Sequence, residues 1–176
     1  AERLSALSQF LVAGNETSTT LLTNIARHLA TNPELRDGVA ADRSLVPKLV
    51  EEALRLEAPV QGLFRQANHD TTIGDIEIPQ DGLVWVAYAA ANRDPDGCPF
   101  PHDMKLDRER NIHLSFGHGE HYCIGAGLAR LEAVIGTNAL LDLPNLRVAD
   151  GFEPSYADSF ILRGITSLEV QFDPAG

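Results

Sequence analysis

The chain has 176 residues, 44% hydrophobic and 22% charged, with 25 acidic against 14 basic residues and a formal charge of −11. That length supports a domain with a real core, and the acidic balance disfavours nucleic acid or an anionic membrane as a partner of the whole surface. Two cysteines, Cys98 and Cys123, make no disulfide framework, so a reducing cytoplasm is the expected compartment. No apolar run reaches the length of a membrane span.

Residues 2–31 predict one long helix, with Leu4, Leu7, Leu11, then Leu21 or Leu22, Ile25 and Leu29 at helical spacing. Asn32-Pro33 marks its end and caps the next helix. The middle of this helix, residues 13–20, carries a glycine, a carboxylate and β-branched hydroxyl residues. Glycine there costs ~1 kcal/mol relative to alanine, and threonine competes for backbone carbonyls and bends a helix. One reading is a polar, solvent-facing patch. The other is that Ala13 and Gly14 leave room for a bulky group, while Glu16 and Thr17, at a locally opened helix, relay a water-borne proton.

Residues 33–57 predict two helices broken around Gly38 and residues 40–44, the second with Leu45, Leu49, Ala53 and Leu56 on one face. Glu52 lies three residues before Arg55, a spacing that by itself suggests an exposed pair worth ~0.2–0.5 kcal/mol. Strands are expected at 63–65, 71–78 and 83–86 with a turn at 79–82, and a short helix at 87–92. Arg65 on its own suggests an edge-strand surface arginine, and Cys98 a small buried residue without function. Residues 93–115 show little periodicity. A helix is expected at 124–142 with Ile124, Leu128, Leu131, Ile135 and Ala139 as its apolar stripe, then short strands at 146–149 and 165–172.

Residues 116–125, Phe-Gly-His-Gly-Glu-His-Tyr-Cys-Ile-Gly, are the most informative stretch. Glycines at 117, 119 and 125 let a flat partner approach the main chain. A cysteine just before a helix start meets unpaired N–H groups and the positive end of the dipole, which favour a thiolate. Such a thiolate is a nucleophile, a redox group or a metal ligand.

The ten residues resemble, at every fixed position, the haem-ligand signature of the cytochrome P-450 family: Phe, Gly, x, Gly, x, His or Arg, x, Cys, x, Gly. The resemblance implies that Cys123 is the thiolate ligand of haem b iron, with Gly117 and Gly125 in the ligand loop, His121 at a propionate and Phe116 beside the sulfur. Ala13, Gly14, Glu16 and Thr17 match the family's distal-helix motif, whose role is to pass protons to dioxygen at the haem. Glu52 and Arg55 match its Glu-x-x-Arg motif, a buried pair that locks the ligand loop. Arg65 is implied as the second propionate partner. Val60 and Leu63 in the turn after that helix, and Phe160 and Ile161 in the closing hairpin, are implied in the substrate pocket.

The implied fold is mainly α with small β-sheets, the C-terminal part of the cytochrome P-450 fold over residues 1–176, with the N-terminal half absent. Where the family commonly has Phe-Pro-x-Pro-x-Arg-Phe-Asp, this chain has Phe100-Pro101-His102-Asp103-Met104-Lys105-Leu106-Asp107, so the arginine that completes the Glu52–Arg55 triad is not assigned. His102, Lys105, Arg108 and Arg110 are the candidates. The implied function is a monooxygenase that inserts one atom of O2 into a small apolar substrate. Electrons would come from a ferredoxin- or flavin-type donor docking at Arg108, Arg110, His118 and Arg130.

Two alternatives stand beside it. One is a haem-binding remnant without turnover, needing its missing half or self-association to cover the apolar face of the first helix. The other is a zinc module using His113, His118, His121, Cys98 and Cys123, although the C-x₂₋₄-C spacing of structural zinc is missing.

Overall fold

A computed structural model describes residues 2–174. Five α-helices and four two-stranded antiparallel sheets make up the described residues. The first helix, α1 (Glu2–Thr31), is unbroken, so the opening expected around residues 13–20 is not seen. Its threonines bond back instead, Thr17 Oγ1 to the Ala13 carbonyl at 2.6 Å and Thr23 Oγ1 to the Thr19 carbonyl at 2.8 Å. Those bonds satisfy the hydroxyls within the helix without displacing its own ladder. Asn32 caps α2 (Pro33–Ala41), its side chain accepting from the Leu35 N–H at 3.0 Å. Gly38 lies inside α2 rather than breaking it, and the break falls at Asp42, before a 3-10 turn (Arg43–Leu45) and α3 (Val46–Leu56).

The 71–78 segment is not one strand. It is the hairpin β2 (Thr71–Ile73) and β3 (Ile76–Ile78), folded at Gly74 with φ 59°. The strand before it, β1 (Leu63–Gln66), skips that hairpin and pairs with β4 (Leu83–Val86). After α4 (Tyr88–Ala91), residues 93–115 run as ordered coil to the cysteine loop and α5 (Ala126–Leu141). In the tail, β5 (Arg147–Val148) pairs with β8 (Val170–Gln171), and β6 (Ser155–Tyr156) with β7 (Ile165–Ser167).

The core joins Leu21, Ile25 and Leu29 of α1 to Val46, Leu49, Val50, Ala53 and Leu54 of α3, closed by Ala133 and Leu141 of α5 and by Leu146. Each large aliphatic side chain buried there stabilises the fold by roughly 1.5–3 kcal/mol.

α5 packs opposite to expectation. Ile124, before it, is 87% exposed, and Leu128, Leu131 and Ile135 are exposed as well, whereas Ala126, Ala133 and Thr137 are buried. The reason is close helix contact: a Cβ on Gly136 would lie 2.5 Å from Leu22 Cδ2 of α1. Small residues there let the two axes approach. The N-terminal part of α1 also exposes Leu4, Leu7, Phe10, Leu11 and Val12, as expected for its uncovered apolar face. No helix among the described residues is long and apolar enough to cross a membrane.

Candidate haem-thiolate site

The loop between the coil and α5 is closed by its own backbone. The Cys123 N–H donates to the Phe116 carbonyl at 2.9 Å, and the Gly117 N–H to the Leu114 carbonyl at 2.8 Å. Gly117 (φ 72°) and Gly119 (φ 75°) occupy the left-handed region, where a side chain would be strained. These turns present Cys123 three residues before α5, with its thiol exposed and free.

Cys123 opens into a cleft of about 1040 Å³ between α1, the loop and the β1 strand. Ala13, Gly14 and Thr17 form its roof on α1, and a Cβ on Gly14 would meet nothing within 4 Å. Val60, Leu63 and Arg65 line one side, and Phe116, Gly117, His121 and Gly125 line the floor around Cys123. Eleven of the residues singled out in the sequence, those ten and Cys123 itself, therefore share one cavity.

Glu16, Phe160 and Ile161 do not. Glu16 is exposed on α1 outside the cleft wall. Phe160 stacks with Phe64 and Trp85 at 6.2 and 5.7 Å between ring centres. Ile161 meets the turn through its backbone, its carbonyl accepting from the Gln61 N–H at 2.7 Å.

Behind the cleft lies the Glu52–Arg55 pair, and it is not the exposed pair that spacing alone suggests: both side chains are 0% exposed. Arg55 grips both Glu52 oxygens at 2.9 and 2.8 Å and donates to the carbonyls of Asn92, Pro101 and Asp103. The third arginine is Arg108, whose Nε reaches Glu52 Oε1 at 2.8 Å. Lys105, another candidate, contributes its backbone N–H to the same oxygen, and Asn111 Nδ2 donates to the other at 3.0 Å. Burial raises the Glu52 carboxyl, but the hydrogen bonds from Arg55 and Arg108 outweigh it and hold it below the usual carboxylate range. The cluster pins the 99–111 coil to α3.

The dock expected at Arg108, Arg110, His118 and Arg130 loses two of its members. Arg108 is spent on Glu52, and Arg130 on Glu51, with Nε to Oε1 at 2.6 Å.

Three contributors escaped the sequence reading. The buried Tyr88 phenol accepts from Arg65 Nη2 at 3.2 Å and fixes that guanidinium at the cleft. Asn92 is buried between segments: its Oδ1 accepts from the Leu114 N–H at 2.6 Å and its Nδ2 donates to Ser115 Oγ at 2.9 Å. Glu132 of α5 lines the cleft and accepts from Ser18 Oγ of α1 at 2.7 Å. Only Asn92 carried a signal, a polar residue directly after a short apolar helix.

The donor set fits a flat dianionic group with a metal at its centre. One exposed thiol faces an open, mostly apolar cleft, and the Arg65 guanidinium and the His121 imidazole line it with no carboxylate partner among the described residues. The zinc alternative is not assembled. Among the described residues no three His, Cys, Asp or Glu side chains converge as ligands: His113 is bonded to Glu51, and Cys98 is buried elsewhere.

Comparison with known proteins agrees with this geometry. The cytochrome P450 family model matches residues 2–160. Cytochrome P450 107B1 of Saccharopolyspora erythraea is 40% identical over 173 residues, covering 97% of this chain and 43% of that protein. The vitamin D(3) 25-hydroxylase of Pseudonocardia autotrophica is 38% identical over 177 residues, covering 98% and 44%. The solved structure of substrate-free cytochrome P450 CYP150A6 from Mycobacterium marinum is similar with a TM-score of 0.91 at 36% identity, covering 95% of this chain and 43% of that one. The chain spans less than half the length of these relatives. Proteins of this kind bind haem b through a cysteine thiolate. With the ligand loop, the buried Glu-x-x-Arg pair and the match over residues 2–160 in agreement, the chain belongs to the cytochrome P450 family.

Proposed function

We propose that this chain is the haem-holding portion of a monooxygenase, in which the Cys123 thiolate would hold the iron and Arg65 and His121 would be the propionate partners. The observation that carries this is the meeting of a free thiol, the Arg65 guanidinium and the His121 imidazole, neither paired with a carboxylate among the described residues, in one mostly apolar cleft roofed by α1. When bound, haem supplies dioxygen activation and insertion of one oxygen atom into a small apolar substrate, with electrons from a ferredoxin- or flavin-type donor.

The chain's own residues do the rest. Arg65, held by Tyr88, would neutralise and orient the acidic edge of the group, and the His121 imidazole would hydrogen-bond it. Gly14 leaves the roof open above it. The Thr17 hydroxyl donates its hydrogen bond to the Ala13 carbonyl, so its lone pairs are the part available to the cleft. It therefore accepts a hydrogen bond from a water or a reacting hydroxyl, and Glu16 passes protons in from the exposed side. Val60 and Leu63 form the apolar wall that a substrate meets.

The test is to load the full chain with haem, reduce it, add carbon monoxide and record the Soret band. The far-red thiolate band is expected. Cys123→Ser abolishes it, and persistence of the band in that variant would show the ligand assignment to be wrong.

A second reading, a haem-binding portion without turnover, is favoured by the exposed apolar residues of α1 and α5 and by coverage of less than half of the relatives' length. Product formation with a ferredoxin-type donor and an apolar substrate separates the two. Turnover by the chain alone removes the second reading. A thiolate band without turnover removes the first.

A further inference from the structure

Glu51 stands beside Glu52 on α3, but its partners are the end of the coil, at His113, and α5, at Arg130. Its carboxylate takes Arg130 of α5 in a fork, Nε to Oε1 at 2.6 Å and Nη2 to Oε2 at 3.0 Å. On its other side Oε2 lies 3.0 Å from His113 Nε2. His113 Nδ1 accepts from the Ser115 N–H at 3.3 Å, so Nε2 carries the proton and donates to Glu51. His113 precedes the loop and Arg130 follows it. One carboxylate thus holds both ends of the 113–130 segment.

The contacts continue inward to the cysteine. The Arg130 guanidinium lies 4.4 Å over the Phe116 ring, and its Nη1 donates to the Tyr122 hydroxyl at 3.3 Å. Phe116 supplies the carbonyl that the Cys123 N–H bonds, and Tyr122 is the residue next to Cys123. The guanidinium therefore presses on both backbone neighbours that set the height and direction of Sγ. A planar fork can hold two carboxylate oxygens, a phenol and a ring face together; an ammonium cannot.

We propose that Glu51, Arg130 and His113 form a clamp that positions Phe116 and, through it, the Cys123 turn. These are positioning residues, and the consequence for an iron ligand rests on the haem reading above. The clamp itself does not, so its test begins without haem.

In the haem-free full chain, Arg130→Met keeps packing on Phe116 and loses the fork, while Glu51→Gln loses the charge. Each is expected to speed amide hydrogen exchange at Cys123 about tenfold and to raise alkylation of its thiol, with residues 134–141 of α5 changed less than about twofold. Arg130→Lys, with one point contact, falls between. The double variant goes no further than the larger single one, as residues acting as a unit require. No change at Cys123, or an equal rise across 134–141, overturns the clamp. In the haem-loaded chain, the same variants lower the share of carbon monoxide complex in the thiolate band at equal haem content. An unchanged share overturns the effect on the ligand. If the parent chain takes up no haem, the ligand reading fails and the exchange data still decide the clamp.

Discussion

Helices α3 and α5 flank the cysteine loop, and their burial patterns are inverted. α3 buries Glu52 and Arg55 completely beside its apolar residues, while α5, apart from Leu141 at its end, buries two alanines and a threonine and leaves Leu128, Leu131 and Ile135 exposed. Hydropathy ranks these residues the other way. The difference teaches that burial here follows partners: α3 charges are buried because each lone pair and N–H finds a mate, and α5 side chains are small wherever another axis comes close.

The largest effect comes from breaking the buried pairing on α3. Glu52→Gln leaves Arg55 and Arg108 in the interior without a counter-charge, at a cost of about 3–5 kcal/mol. Urea unfolding of the chain measures it, and a loss below about 1 kcal/mol would mean that water reaches the cluster.

pH tests the same principle at the end of α3. Glu57 accepts from Arg27 and lies 3.4 Å from His28 Nε2. Burial pushes its carboxyl up, but the hydrogen bonds and charges of His28 and Arg27 pull it down to about 2, against 4.5 for the free group. A carboxyl depressed in the folded state adds stability above its unfolded pKa and loses it as pH falls toward the folded one. The contribution, on the order of 3 kcal/mol, is expected in full above about pH 5 and to fade between there and about pH 2. Glu57→Gln should flatten that part of the stability curve.

How much of this could be read in the sequence depends on how local each signal is. The Phe116–Cys123 loop and the Asn32-Pro33 cap are short patterns that carry their own physics, and each is found where the pattern puts it, whereas the Glu52–Arg55 spacing alone suggests an exposed pair and only the family resemblance implies its burial. Arg108 was open among four candidates because its role depends on how a coil without periodicity folds back over 56 residues of separation. Tyr88 carries no local signal, since only the return of β1 beside β4 brings Arg65 to its hydroxyl. The Glu16–Thr17 pair was read as a unit, yet adjacent helical residues project about 100° apart, so Thr17 faces the cleft and Glu16 does not.

The weakest effect sharpens the comparison most directly, on α5 itself. Ala133 is 1% exposed in the core, whereas Ile135, two positions on, is 61% exposed. Ala133→Leu forces added methylenes into the packed core and is expected to cost about 1–3 kcal/mol. Ile135→Gln removes a larger apolar side chain from the same helix, yet it should shift stability by no more than about 0.5 kcal/mol and reduce association of the chain. Urea midpoints and sedimentation of the two variants check both statements. Should Ile135→Gln cost more than Ala133→Leu, the apolar stripe of α5 is covered in solution, by a second copy of the chain if the cost grows with protein concentration.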